Sequence, residues 1–571
     1  MLIDLVAAGL TYAVVALAAW PLGLHIARVL QGRRTFLHPL LHPAERSIYW
    51  LTGVHEDDEQ TWARYLLGVL ALGTVGMLLG YFHLRLQDHL PLNTQRLPGM
   101  APDLSLNTAV SYAANTGWEN YAGEQTLSYL SQMLMIVPNQ FLSMAAGMAV
   151  AVALVRGFVR REAPTVGNVY VDVTRSILYV ILPLSAVGAL FLVSQGVIQN
   201  VNPYRAARTL EGAMQVIAQG PVASQEVIKD MSGAGGGFFS ASSAHPFENP
   251  NGLTHQFEIF LQLIVPFALA ITLGRMVGRL REGLVLAGVM WAILLVATAV
   301  AANQEQAGNR ALGPVGVDQA RSAQQAGGNM EGKEVRFGPI LSSQFFAAAT
   351  GSGDGDVDAG YDSLMPVTTL VGLAQMKLGE VTPGGPGSGL YGLVLYAIQA
   401  VFVAGLMVGR TPEYLGKKIE SHEIKLVALG ILIVPAIVLC LSAVSVLVPA
   451  GLAGIGNPGP HGLSEVLYAF VSTAVNNGSS MAGLGGNTVY YNVTLAIAMW
   501  AGRFGVAIPV LALAGSLAAK RYVPAGKGTL ATATPLFGGF LVGVIVIVGA
   551  LTFFVSLTLA PVLEQLHLAA R

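Results

Sequence analysis

The chain has 571 residues, of which 53% are hydrophobic and only 11% charged, with a formal net charge of −1 at pH 7. Soluble domains carry roughly 25% charged residues, so the composition excludes a soluble globular protein and leaves a polytopic membrane protein. Its surroundings are expected to be the lipid bilayer, with no nucleic acid as a partner.

A bilayer-spanning helix needs about 20 apolar residues. Ten such runs follow one another: 5–30, 65–84, 133–154, 176–197, 257–273, 283–302, 390–408, 424–447, 493–518 and 531–559. The first run opens with "MLIDLVAAGL", carrying Asp4 where a secretory signal would carry basic residues, and Arg28, Arg33 and Arg34 follow it. It reads as a span and not as a removable signal. Basic residues recur after span 3 (Arg156, Arg160, Arg161), between spans 5 and 6 (Arg275, Arg279, Arg281), between 7 and 8 (Arg410, Lys417, Lys418) and between 9 and 10 (Lys520, Arg521, Lys527). With positive residues inside, both termini are expected outside. The single cysteine, Cys440, lies in span 8; it excludes an internal disulfide framework and is expected to be a small buried apolar residue.

Four outward connections share one design: a short, moderately apolar stretch, then a Gly- or Asn-rich tripeptide. They read "LNTAVSYAANTGWENY" (106–121), "SQEVIKDMSGAGGGFF" (224–239), "SSQFFAAATGSGDGDV" (342–357) and "EVLYAFVSTAVNNGSS" (465–480). The tripeptides Asn115-Thr116-Gly117, Gly233-Ala234-Gly235, Gly353-Asp354-Gly355 and Asn476-Asn477-Gly478 each place glycine third. They fall about 120 residues apart, a period that argues for internal duplication. The helical stretch before each, about 8–14 residues, is too short to cross a bilayer and reads as re-entrant.

The expected fold class is therefore an all-α membrane protein: ten transmembrane helices, with four membrane-pore-membrane repeats around a pseudo-fourfold axis. The whole of 1–571 forms one polytopic domain, with repeats at about 62–160, 170–281, 282–410 and 422–520 and extra helices at 3–30 and 531–559. Irregular backbone at membrane depth is tolerated only inside protein or along a wet cavity. Glycine reaches positive φ without strain, and four such loops around one axis give a ring of carbonyl oxygens able to replace the hydration shell of a monovalent cation. The short helices would also aim their negative C-terminal ends at the centre. The plainer reading is that these are glycine-rich extracellular loops joining spans.

The segments "GRTPEYLGKKIE" (409–420), "AHPFENPNGLTHQFE" (244–258), "NMEGKEVRFG" (329–338), "GSGLYG" (387–392) and "NNGSS" (476–480) resemble KdpA, the potassium-binding, channel-like subunit family of the Kdp-type potassium-transporting P-type ATPases. The resemblance implies a K⁺ selectivity filter made by the backbone carbonyls of the twelve tripeptide residues, in a fold shared with Trk, Ktr and HKT transporters. It also implies a multi-pass protein of the bacterial plasma (inner) membrane, with KdpB (the ATPase subunit), KdpC and KdpF as partners. K⁺ would be the transported ion. No Walker A pattern and no Asp-Lys-Thr-Gly motif occurs, so no nucleotide is expected on this chain and ATP hydrolysis would fall to another polypeptide. The alternative is a stand-alone Trk- or Ktr-like channel or gradient-driven transporter. A membrane enzyme would need clustered catalytic groups at one face, whereas the eleven histidines look scattered and unpaired with carboxylates.

Against the family pattern, Gly117 and Glu119 replace Asn and Gln, Gly233 and Ala234 replace Thr and Asn, Asp354, Asp356 and Asp358 replace Cys, Ala and Asn, and Val475 replaces Asn. Backbone carbonyls do not depend on side-chain identity, so a coordinating ring can survive these changes. Glu119, Asp354, Asp356 and Asp358 have two readings: a solvated outer mouth that concentrates cations, or direct ligands to the ion.

An isolated charge in mid-span costs about 2.5–3.5 kcal/mol, and Arg503 stands in such a place. The resemblance implies that it lies beneath the filter, where it would guard an inner cavity; a snorkelling or backbone-capped arginine is the other reading. The stretch 355–410 is too long for one return helix, and divides at the loop "GEVTPGGPGSG" (379–389). With Gly384 and Gly385, that loop reads either as a gate within a broken span or as a peripheral connection. His245 and Glu248, in "HPFENP" (245–250), are expected to satisfy backbone groups around the filter and not to bind metal. The polar segment 303–338 reads as a docking face or as an idle insertion.

Overall fold

Apolar runs of this length can satisfy their backbone in lipid only as helices or closed barrels. In the computed structural model, which describes residues 2–379, 381–409, 411–524, 526 and 529–570, they are helices. Ten helices among the described residues are long and apolar enough to cross a membrane, and each of the ten runs maps onto one. Arg410 and Lys527, counted above among the basic connections, and Glu380 of the glycine/proline loop lie outside the described residues.

The long helix α1 (Leu2–Leu30) leads into the shorter α2 (His38–Thr52). Four segments then repeat one order of long helix, short helix, long helix. The first is α3 (Trp62–Arg85), α4 (Pro102–Ala113) and α5 (Tyr129–Val159). The second is α6 (Val169–Ser194), a hairpin of β1 (Arg205–Arg208) and β2 (Met214–Ile217), α7 (Val222–Ser232) and α8 (Gly252–Met276). The third is α9 (Leu280–Gln306), α10 (Gly338–Ser352), and a return broken into α11 (Pro366–Lys377) and α12 (Ser388–Val408). After the antiparallel pair β3 (Glu413–Tyr414) and β4 (Lys417–Lys418) comes the fourth, α13 (Ser421–Ser445), α14 (Pro460–Val475) and α15 (Val489–Ala519). The chain closes with α16 (Pro535–Leu557) and α17 (Leu563–Ala569).

The chain is mostly helical, as expected, with two short strand pairs among the described residues, β1–β2, where Arg205 stands opposite Ile217, and β3–β4. One expectation needs adjustment. The short helices span 12, 11, 15 and 16 residues, and the last two exceed the expected length. Pro339 and Pro460 sit in their first turns, where the missing N–H is no loss, so the helices start earlier than polarity alone suggests.

Burial sorts the long helices by role. Within the most apolar stretch, the second long helix of each segment is buried over 78%, 89%, 56% and 61% of its residues, against 33%, 44%, 39% and 28% for the first. The flanking α1 and α16 fall to 22% and 17%. Thus α5, α8, α12 and α15 are the more buried spans, and the remaining spans turn more of their surface outward. Close contact depends on small residues: a Cβ on Gly23 of α1 would come within 2.5 Å of the Ala268 carbonyl of α8. Thr272 Oγ1 donates to the Gly23 carbonyl at 3.0 Å across the same seam, the kind of crossing that lets helices associate without a hydrophobic drive.

Cys440 corrects the sequence reading. It is exposed, on the outward side of α13, because an unbroken apolar helix has no polar stripe to tell lipid-facing from protein-facing positions.

Candidate functional site

The four short helices end alike. Asn115 (φ 61°), Gly233 (62°), Gly353 (74°) and Asn476 (65°), the first residue of each tripeptide, all take the left-handed conformation. Asn and Gly are the residues that enter it at least cost and so stop helices there. In three loops the next N–H reaches back five residues: Thr116 to Ser111 O at 2.8 Å, Asp354 to Ala349 O at 3.1 Å, and Asn477 to Ser472 O at 2.8 Å. This bond is the closing bond of a Schellman turn. It satisfies helix-end carbonyls that would otherwise be orphaned in a buried place.

The third residues bring the loops into contact. A Cβ on Gly117 would lie 1.9 Å from Ala234 O, one on Gly235 2.4 Å from Gly355 Cα, one on Gly355 2.5 Å from Asn477 O, and one on Gly478 1.9 Å from Thr116 O. Loop one therefore touches two, two touches three, three touches four, and four returns to one. Gly117, Gly235 and Gly478 also have positive φ. Gly355 does not, and there closeness alone requires glycine.

Side-chain amides tie the same circle. Asn115 Nδ2 donates to Ser232 O at 2.9 Å and Gly233 O at 3.2 Å. Asn476 Nδ2 donates to Thr116 Oγ1 at 2.9 Å, and Asn477 Nδ2 to Asp354 O at 3.1 Å. Thr116, Ala234, Asp354 and Asn477 are wholly buried. The four tripeptides are thus buried and in contact with one another, and do not stand apart on the surface.

The acidic residues are not a solvated mouth. Asp354, Asp356 and Asp358 have no solvent exposure, and only Glu119 is partly exposed. Asp356 turns away from the tripeptides to Lys229 Nζ (3.0 Å) and to the hydroxyls of Ser242 and Ser243. Asp358 meets His255 Nε2 at 3.1 Å. Asp354 Oδ1 accepts from the Asp356 N–H at 3.2 Å. Lys229, which also bonds Glu226 Oε1 at 2.8 Å, is the residue that sequence reasoning missed. Its partner lies on another segment, and only its place in a short helix otherwise poor in cations hinted at it.

Arg503 is nearly buried, and its Nη2 donates to the Ser143 carbonyl of α5 at 2.7 Å. A Cβ on Gly147 would lie 2.7 Å from that Nη2 and 2.7 Å from Pro386 O. Arg503 thus stands where α5, α15 and the glycine/proline loop converge, at a cavity of about 20 Å³ that Ala113, Ser143 and Tyr391 also line. The loop itself is not peripheral. Its described residues from Val381 to Gly387 are buried, Gly384 N–H donates to Gly351 O at 2.7 Å, and a Cβ on Gly233 would meet Pro386 Cδ at 2.9 Å and Gly385 Cα at 3.6 Å. It packs against the ends of α7 and α10.

Flanking residues brace the second loop. Glu248 Oε1 accepts from Phe238 N–H at 2.7 Å and Phe239 N–H at 3.2 Å, while His245 stacks on Phe239 with ring centres 3.9 Å apart. The 303–338 segment is tied in as well. Lys333 pairs with Glu305 at 2.8 Å with both side chains buried, and Arg336 donates to the carbonyls of Ala244 and Asn249.

The histidines are less isolated than the sequence suggests. Besides His255–Asp358, His461 Nδ1 meets Glu564 Oε1 at 2.6 Å and its Nε2 meets Asp362 Oδ1 at 3.1 Å. Hydrogen bonds to Asp362 and then Glu564 push His461 up to about 10. These partners lie about a hundred positions away in the chain, which is why spacing does not reveal them. The groups clamp distant segments together, and Asp362, His461 and Glu564 also line a cavity of about 320 Å³.

The family model described as "Potassium-transporting ATPase A subunit" (KdpA) matches residues 9–566. A relative from Methylibium petroleiphilum is 51% identical over 562 residues, covering 98% of this chain and 97% of its own length. One from Sorangium cellulosum is 51% identical over 557 residues, covering 96% of each. One from Rhodospirillum centenum is 50% identical over 549 residues, covering 96% and 95%. All three are named potassium-transporting ATPase potassium-binding subunit. The match of the family model over nearly the whole chain, together with these relatives, shows that this chain belongs to the KdpA family.

Proposed function

We propose that the chain is the ion-selecting subunit of an ATP-driven K⁺ importer. The observation that carries this reading is the closed circle of contacts among Gly117, Gly235, Gly355 and Gly478 and their neighbours. In it K⁺ loses its water and is held by main-chain oxygens of the four tripeptides, which also end four helices and so contribute negative dipole ends. Four internally duplicated units around a pseudo-fourfold axis account for the similar helix ends. Their fixed hydrogen bonds account for rigidity despite the altered side chains.

Below the circle, the buried loop with Gly384 and Gly385 acts as the gate, and the Arg503 guanidinium repels cations from a straight passage. ATP hydrolysis takes place on a separate subunit, KdpB, with KdpC and KdpF completing the complex. The assembly sits in the bacterial inner membrane with both termini of this chain outside.

The test is ⁸⁶Rb⁺ uptake in K⁺-starved cells. Uptake is expected only when the chain is made together with its ATPase partner, and is expected to be saturable and competed by K⁺ but not by Na⁺. Uptake by the chain alone would support the self-sufficient channel instead.

A further inference from the structure

Behind the second and third loops lies a buried group that K⁺ selection by backbone does not use. Glu226 and Asp230 of α7, Glu258 of α8 and Asp356 after Gly355 each offer one carboxylate oxygen, and these oxygens lie within 4.8 Å of one another. None of the four residues is more than 1% exposed. Against four carboxylates stands one ammonium, Lys229, bonded to Glu226 and Asp356.

A second observation points to a missing ligand. Both oxygens of Asp230, both of Glu258 and Oε2 of Glu226 accept no hydrogen bond among the described residues. Gln262, one turn beyond Glu258 on the same helix, also leaves Oε1 without a donor. Among the described residues, the buried carboxylates of Glu248, Asp354 and Asp358 each leave one oxygen without a partner but keep the other bonded, and some are saturated. Glu45, for example, accepts from Tyr49, Arg175 and Tyr179. A buried charge left without partners is costly, and such groups pair or coordinate metal.

We propose that Glu226, Asp230, Glu258 and Asp356 bind a hard divalent cation of the Ca²⁺ class. Calcium takes oxygen ligands at about 2.3–2.6 Å, so ligands on opposite sides stand about 4.6–5.2 Å apart, whereas the Mg²⁺ octahedron at about 2.0–2.1 Å requires a tighter cage. Oxygens within 4.8 Å of one another can all reach one ion of this class, and a set of four protein carboxylates suits Ca²⁺, where Mg²⁺ usually keeps several waters and takes one or two carboxylates. A monovalent ion would leave more of the negative charge uncompensated. The site joins α7, which ends at Gly233, to the residue following Gly355, so the bound ion clamps the second loop to the third from behind. This inference does not rest on the K⁺ reading, and the two can fail separately.

The experiment uses the full chain in its complex, purified in detergent, stripped with chelator and dialysed against ⁴⁵Ca²⁺ in excess K⁺. ⁸⁶Rb⁺ binding is measured on K⁺-free aliquots of the same preparations as a check of folding. Wild type is expected to bind one Ca²⁺ per chain, with Mg²⁺ competing poorly. Asp230→Asn and Glu258→Gln are each expected to weaken Ca²⁺ binding by about tenfold or more while ⁸⁶Rb⁺ still binds. The absence of saturable ⁴⁵Ca²⁺ binding in the wild type would overturn the proposal, as would undiminished binding in the Asp230→Asn/Glu258→Gln double variant. Loss of ⁸⁶Rb⁺ binding with retained ⁴⁵Ca²⁺ binding would instead count against the filter alone.

Discussion

Gly478 and Thr116 are 362 positions apart in the chain, yet a Cβ on Gly478 would stand 1.9 Å from the Thr116 carbonyl oxygen. That contact closes the circle of four loops, and Gly478 has φ 112°, a conformation that an L side chain rarely adopts. Gly478→Ala is expected to weaken K⁺ affinity by about tenfold or more, roughly 1.4 kcal/mol, measured as the K⁺ dependence of ATPase activity in the complex. Gly9→Ala, in α1 with nothing within 4 Å, is the control and should leave affinity unchanged.

Lys229 is the cation that holds Glu226 and Asp356. Removing one partner of a buried ion pair costs about 3–5 kcal/mol because the other charge stays buried and alone. Lys229→Met should therefore lower the thermal unfolding midpoint of the purified complex sharply. A variant as stable as wild type would mean that these carboxylates carry protons in place of charge.

Arg503→Gln removes the charge but keeps a long polar side chain. It should leave assembly intact, lose the bond to Ser143 O, and give Na⁺ or Rb⁺ leakage in proteoliposomes without ATP. Tight, fully ATP-dependent transport in the variant would reduce Arg503 to a structural, backbone-capping role.

The His461 clamp fixes the start of α14 to Asp362 and to Glu564 at the chain's far end. Hydrogen bonds to Asp362 and Glu564 raise His461 from 6.5 to about 10, so its stabilisation is complete below pH 6.5 and vanishes as pH rises through about 10. Asp362 is held below its ordinary value by His461; its share is present above pH 3.8 and is lost on acidification through the lowered value. His461→Gln should cost about 1.5–3 kcal/mol near neutrality. The gap between wild-type and variant unfolding midpoints should close above pH 10. A gap that persists at pH 11 would show that the imidazolium is not what stabilises.

The ten spans are legible in the sequence because lipid demands long apolar runs. The helix stops at Asn115, Gly233, Gly353 and Asn476 are legible because few residues enter the left-handed region cheaply. What spacing does not show is which distant groups meet. Asp354, Asp356 and Asp358 look like surface acids in a Gly/Asp run, and only folding brings Lys229 and His255, more than a hundred positions earlier, against Asp356 and Asp358. Cys440 fails for a different reason, since a helix apolar all round carries no mark of the face it turns to lipid.

The most direct measurement is the anomalous scattering of Rb⁺ or Tl⁺ bound to the complex in place of K⁺. A peak is expected on the axis shared by the four tripeptides, within coordination distance of main-chain oxygens among Thr116, Ala234, Asp354 and Asn477. A bound ion found only at side-chain carboxylates, with those oxygens unengaged, would contradict selection by the loop backbone.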